Sequence, residues 1–212
     1  MPIDLCNVID ENIFIVPDQS QDGKQLWKHR IMENEDSGKM NLTVIIPDRF
    51  LRIDLPRQNV FFLKNQKCAD GVIWEYLKEK CYRLHLFEMK RTMKPQTWIK
   101  IKEQFHGAYL RCRMIANLLE WDIDKYVALY TVFYRDMFEH TSIEGTDFVF
   151  EHISTNTNVV REKLEWDSDQ CDIRQLGLPS HFGTPYFRHY KVALNNLNSD
   201  GIPEGIFVLP TF

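Results

Sequence analysis

One segment constrains this chain more than any other. Between Thr97 and about Glu120, Ile101, Phe105, Ala108, Cys112, Ile115 and Leu119 recur at steps of four and three, which lays a continuous apolar stripe along a helix. Pro95, just ahead of it, suits a helix start. Strand-like segments flank the helix on both sides, "NVFFLKN" and two more before it and "KYVALYTVFYR" after it, all rich in aromatic and β-branched residues. The order strand, strand, strand, helix, strand over residues 59–135 gives the stripe a sheet to bury itself against. The expected fold class is therefore α/β, a mixed central sheet with flanking helices.

The two strands before the helix lie in "CADGVIWEYLKEKCYRLHLFEMKRT", residues 68–92, and their register can be worked out. A turn centred on Glu79 pairs Val72 with Leu86, Trp74 with Leu84 and Tyr76 with Tyr82 on one face. On the other face it pairs Ile73 with His85 and Glu75 with Arg83, so the register separates apolar pairs from an ion pair. The same register sets Asp70 opposite Glu88, and strand alternation puts Lys90 on Glu88's face. Two like charges opposed across a strand pair destabilise it unless something positive lies between them. Paired carboxylates bind Mg²⁺ or Mn²⁺. An adjacent ammonium can orient or deprotonate an attacking water, or neutralise charge on a phosphoryl transition state. Placed at a strand end, Lys90 is expected to bury little.

Asp70, an intervening hairpin and then Glu88-Met89-Lys90, followed by a helix and another strand, resembles the PD-(D/E)xK nuclease superfamily. The resemblance covers roughly residues 59–135 and departs from the family pattern at Ala69, where the family's name places Pro. It implies a restriction-endonuclease-like core and metal-dependent phosphodiester hydrolysis of nucleic acid, most often DNA. By the same resemblance Asp70, Glu88 and the Met89 carbonyl hold Mg²⁺ or Mn²⁺, Lys90 is the catalytic lysine, and Gln104 on the helix supports the site. Lys94, Lys100 and Arg111 are the expected nucleic-acid contacts; Lys100 and Arg111 share Gln104's side of the helix. Many members add an acidic residue from a first core helix, a place for which Glu33 and Glu35 are open candidates. Family relatives of this kind act in restriction, repair and anti-phage defence, some as subunits with a protein partner. The alternative is a non-catalytic subunit that keeps the nuclease-like fold to dock nucleic acid or a partner protein.

Composition bounds the rest. The length, 212 residues, favours one core, read as a nuclease-like domain over 1–140 with a turn-rich C-terminal elaboration over 141–212 packed on it. Within 1–58, "NIFIV", "NLTVII" and "FLRIDL" read as short strands around a helical stretch near "GKQLWKHRIME". In the C-terminal part, "FVFEHI" and "GIFVL" are the strand-like pieces. The net charge is −4, yet residues 78–113 hold ten Lys or Arg against three Glu, which marks that segment as the place where a polyanion would bind. No apolar run reaches the roughly 18 residues of a membrane span, and no basic n-region leads into an apolar h-region at the N-terminus. Five scattered cysteines without a C-x-x-C pair fit reduced thiols, so the expected location is cytoplasmic. His181 and His189, eight apart, make a poor zinc pair. Asp136, Glu139 and His140 read as a solvated strand exit, and no Walker-type or G-x-G-x-x-G loop occurs.

Overall fold

A computed structural model describes residues 14–15, 27–33, 38–46, 50–53, 67–138, 161–171, 173 and 185–210. Its strands are β1 (Phe14–Ile15), β2 (Trp27–Glu33), β3 (Met40–Ile46), β4 (Phe50–Ile53), β5 (Gly71–Lys78), β6 (Cys81–Met93), β7 (Asp122–Asp136), β8 (Tyr186–Ala193), β9 (Asn196–Leu197) and β10 (Pro203–Val208). The helices are α1 (Pro95–Leu119) and a short α2 over 161–167. Among the described residues no helix is long and apolar enough to cross a membrane.

The apolar stripe of α1 finds its sheet. Ile101, Phe105, Ala108, Cys112 and Leu119 are buried against Val72, Trp74, Leu84, Leu86, Val127 and Leu129. That sheet has six strands in the order β1-β4-β5-β6-β7-β8. The β5–β6 hairpin is antiparallel, whereas β6, β7 and β8 run parallel, and α1 supplies the crossover that a β6-to-β7 connection requires. The hairpin register follows the expected pairing from Gly71↔Phe87 to Tyr76↔Tyr82, and slips by one only at Lys78↔Cys81. There Lys80 takes the left-handed conformation, φ 57°, within a two-residue Glu79–Lys80 turn.

The opposite face of β5–β8 is covered over much of its length. A second mixed sheet, β2-β3-β10-β9, buries Ile31, Met40, Leu42, Val44 and Ile46 against Ile73, Phe87, Met89, Ala128, Tyr130 and Val132. The architecture is α/β with two mixed sheets. Two expectations change here. The helical stretch expected near "GKQLWKHRIME" is strand β2 over Trp27–Glu33, antiparallel to β3. Its inward Ile31 and Glu33 alternate with outward Arg30 and Met32, the period of a strand. The C-terminal region is also more regular than its turn-rich sequence implied. β8 pairs with β7 and β10 with β3, both parallel, so the "GIFVL" piece lies inside a sheet. The "NVFFLKN" and "FVFEHI" segments, with Glu35, Glu139, His140 and His181, lie outside the described residues.

Candidate functional site

β5 stops at Gly71, which pairs with Phe87, while β6 runs on to Met93. In this register the N–H groups of β6 that face β5 belong to Phe87 and then Met89, because alternate residues turn to alternate neighbours. Past the end of β5, the Met89 N–H has no strand partner and instead donates to Asp70 Oδ2 at 2.8 Å. Asp70 thereby completes the ladder with a side chain. A residue's N–H and C=O point to the same side of a strand, so the Met89 carbonyl faces the same gap.

Glu88 projects from the α1 face, alongside Leu84 and Leu86, and is fully buried. Its Oε1 lies 2.6 Å from Lys90 Nζ, while among the described residues its Oε2 has no hydrogen-bond partner. Lys90 Nζ is also 3.9 Å from Glu33 Oε2. Glu33 arrives from β2 and not from a helix, and a glycine permits it. A Cβ on Gly71 would lie 2.7 Å from the Ile31 side chain, so glycine lets Ile31 of β2 seat against this corner of the sheet without shifting. Two residues on from Ile31, Glu33 then reaches the gap.

Three carboxyl groups thus surround one ammonium, and their acidities respond. Burial pushes Asp70 up to about 7, Glu33 adding to the shift against the pull of Lys90 and the Met89 amide. The Asp70–Glu33 side-chain hydrogen bond needs a protonated carboxyl. Burial, reinforced by the Asp70 charge, raises Glu88 well above the ordinary range, with Lys90 pulling it back. Burial alone would lower Lys90, but Glu88, Asp70 and Glu33 together raise it. Such a site is short of positive charge, and in the absence of another cation protons make up the deficit.

Among the described residues no group of three or more His, Cys, Asp or Glu is arranged to hold a metal ion. A Mg²⁺ site, however, needs only one or two carboxylates, completed by water and substrate phosphate. The unpartnered Glu88 Oε2, Asp70 and the Met89 carbonyl fit that requirement.

α1 fixes the approach to Asp70. A Cβ on Gly107 would lie 1.9 Å from the Lys67 carbonyl oxygen, so the glycine marks a close crossing of helix and chain. Arg111 Nη1 donates to that same carbonyl at 2.6 Å, and the Lys67 ammonium pairs with Glu103. Three α1 residues at four-residue spacing, Glu103, Gly107 and Arg111, therefore meet Lys67, three residues ahead of Asp70. This corrects the expectation for Arg111. It is 2 % exposed and bonded to the Lys67 and Gly107 carbonyls, so it faces the protein and not a polyanion. Lys94 and Lys100 are exposed. Gln104 is half-buried, and among the described residues it makes no hydrogen bond to Asp70, Glu88 or Lys90.

The surplus of basic residues over 78–113 does not form one surface patch. Arg83 pairs with Glu75 and Asp124, Lys90 with Glu88, and Lys102 with Glu162 and Glu165. His189 is buried and bonded to Thr131, a core histidine. Glu33 is the site residue that sequence left open, and the signal for it was the Ile31/Glu33 alternation of a strand. No protein-family model, curated protein or solved structure matches the chain.

Proposed function

We propose that this chain is a metal-dependent phosphodiester hydrolase, a nuclease of the PD-(D/E)xK type, with Asp70 and Glu88 as carboxylate ligands and the Met89 carbonyl as a third donor. The observation that supports it most is Glu88: a fully buried carboxyl with one oxygen unpartnered, beside Asp70 and a single lysine. Leaving such a group uncompensated is costly, and a purely structural ion pair gains nothing from it. A bound Mg²⁺ or Mn²⁺ would polarise a phosphodiester and lower the pKa of water. Lys90, one pair further along the Glu88 face, reaches a phosphate oxygen or the attacking water and stabilises charge that develops in the transition state. Asp70 is held in place by the Met89 amide and by the contacts of α1 with Lys67, and gives up its proton when it serves as a ligand. Lys94 and Lys100 would meet the nucleic-acid backbone, DNA being the favoured substrate, and Gln104 would support the site from α1.

The test has two parts. Mn²⁺ should raise the melting temperature by RT ln(1 + [L]/Kd). Asp70→Asn should abolish that rise while stabilising the metal-free protein. With Mn²⁺ and DNA or RNA, Lys90→Ala should lose on the order of 10²–10³ in cleavage rate while keeping the Mn²⁺ shift. If wild type cleaves nothing with any metal, the non-catalytic docking subunit is the correct reading. A Lys90→Ala protein that cleaves like wild type removes the assignment from this hairpin.

A further inference from the structure

The α1 face is not the only one with unused chemistry. On the opposite face, at the beginning of β6 and far along it from Glu88, lies a cavity of about 270 Å³ lined by Arg83, Tyr126, Val127, Ala128 and Arg188. Its floor is a gap in a row of side chains. Ala128 pairs with His85 on β6 and with Arg188 on β8, so a methyl group sits between two long residues. In the next row, Tyr126 pairs with Tyr186, and the two rings stack at 5.6 Å between centroids. These rings are 48 % and 56 % exposed.

One cation at this cavity is held by two carboxylates. Arg83 Nε donates to Asp124 Oδ2 at 3.1 Å, and its Nη1 donates to Glu75 Oε2 at 3.3 Å. Glu75 Oε2 is itself 3.0 Å from His85 Nε2. Those contacts fix the guanidinium at the cavity wall, so less side-chain entropy is lost when a ligand arrives. Arg188 is exposed on the facing strand, and Lys125 Nζ lies 4.9 Å from the Tyr126 ring centroid. The charged residues that line the cavity, Arg83 and Arg188, are both cationic.

We propose that this cavity binds one nucleotide unit, its base stacked on Tyr126 and its phosphate met by Arg188 and Arg83. Partly exposed aromatic rings are the usual platform for an unstacked base, and guanidinium forks suit phosphate. The volume falls below the roughly 300–1,000 Å³ of pockets that enclose drug-sized ligands, so it admits one ring and one anionic group. None of these residues belongs to the Asp70–Glu88–Lys90 set, and the inference stands without the cleavage reading.

Free nucleotide and a nucleic-acid strand share this chemistry, and calorimetric titration in EDTA separates them. The probes are adenosine monophosphate and, in a second series, a short single-stranded oligo-deoxythymidine. At least one should bind wild type, and Tyr126→Ala and Arg188→Glu should each weaken it roughly tenfold. Binding of the monophosphate makes free nucleotide the source, and binding of the oligonucleotide alone makes it a strand. Arg188→Gln supplies the same comparison if Arg188→Glu folds poorly. The inference is overturned if neither probe binds, or if the Tyr126 and Arg188 variants bind with wild-type affinity.

Discussion

The turn end of the β5–β6 hairpin carries Glu75, Arg83 and His85, and its open end carries Asp70, Glu88 and Lys90. At the turn end every charge has a counterpart. Glu75 faces Arg83 at 3.3 Å and His85 at 3.0 Å, and Arg83 also holds Asp124. Burial acts to raise the Glu75 carboxyl, but its contacts with His85 and Arg83 outweigh it and hold Glu75 below its ordinary value. Burial lowers His85, which keeps the ring neutral. An ionised Glu75 only accepts, so His85 Nε2 donates to it and Nδ1 accepts from the Tyr130 hydroxyl at 3.0 Å. The open end has three carboxyls and one ammonium, and two of the carboxyls are driven upward. The turn end uses its polar groups to brace the sheet, whereas the open end is left in want of a cation.

The strongest way to break this contrast is Lys90→Ala without metal. Lys90 is expected from the sequence to bury little at a strand end, but β6 runs on to Met93, the lysine side chain is only 21 % exposed, and it is the nearest cation to a fully buried Glu88. Removing it should cost about 2–3 kcal/mol, below the full cost of breaking a buried pair because Glu88 can take up a proton. Adding Glu88→Gln should recover most of the loss in denaturant unfolding. If Lys90→Ala is neutral, the pair is weaker than its geometry implies.

Arg111→Met sharpens the link between α1 and the site. Losing the bond to the Lys67 carbonyl should cost roughly 1–3 kcal/mol, and the Mn²⁺-induced rise in melting temperature should shrink with it. Faster hydrogen exchange at the Met89 amide, which Asp70 holds, would show the cause directly. Wild-type exchange there would mean that the grip on Lys67 does not aim Asp70.

Glu75→Gln probes the balanced end. It should cost about 1–2 kcal/mol by weakening the bonds to Arg83 and His85, with the Mn²⁺ shift unchanged. A lost Mn²⁺ shift would mean the two ends are coupled through the strands.

The smallest expected effect is on pH. A carboxyl whose folded pKa is raised binds more protons in the folded than in the unfolded state between the two values, so stability falls as pH rises through that window. For Asp70 the window runs from 3.8 to about 7. Metal-free wild type should therefore lose stability across it, and Asp70→Asn should lose less. Mn²⁺ affinity should rise over the same range as the site's protons leave. Identical pH profiles for the two proteins would remove Asp70 as the titrating group.

Much of this was legible in the residues. The α1 stripe and the hairpin pairing are local patterns, set by periods of 3.6 and two, and both hold in the structure. The juxtaposition of Asp70 with the Glu88–Lys90 strand followed from that register alone. Sequence could not show which basic residues of 78–113 stay available. Arg111 and Lys102 differ from Lys100 only by what lies opposite them: the Lys67 carbonyl, the carboxylates of Glu162 and Glu165, or solvent. Nor could it bring Glu33 to the site, because that depends on β2 pressing on Gly71 from a second sheet held by the parallel β3–β10 pairing. Periodicity fixes which face of an element is apolar. Which distant element covers that face, and which charge it brings, is decided only when segments far apart in the chain close on one another.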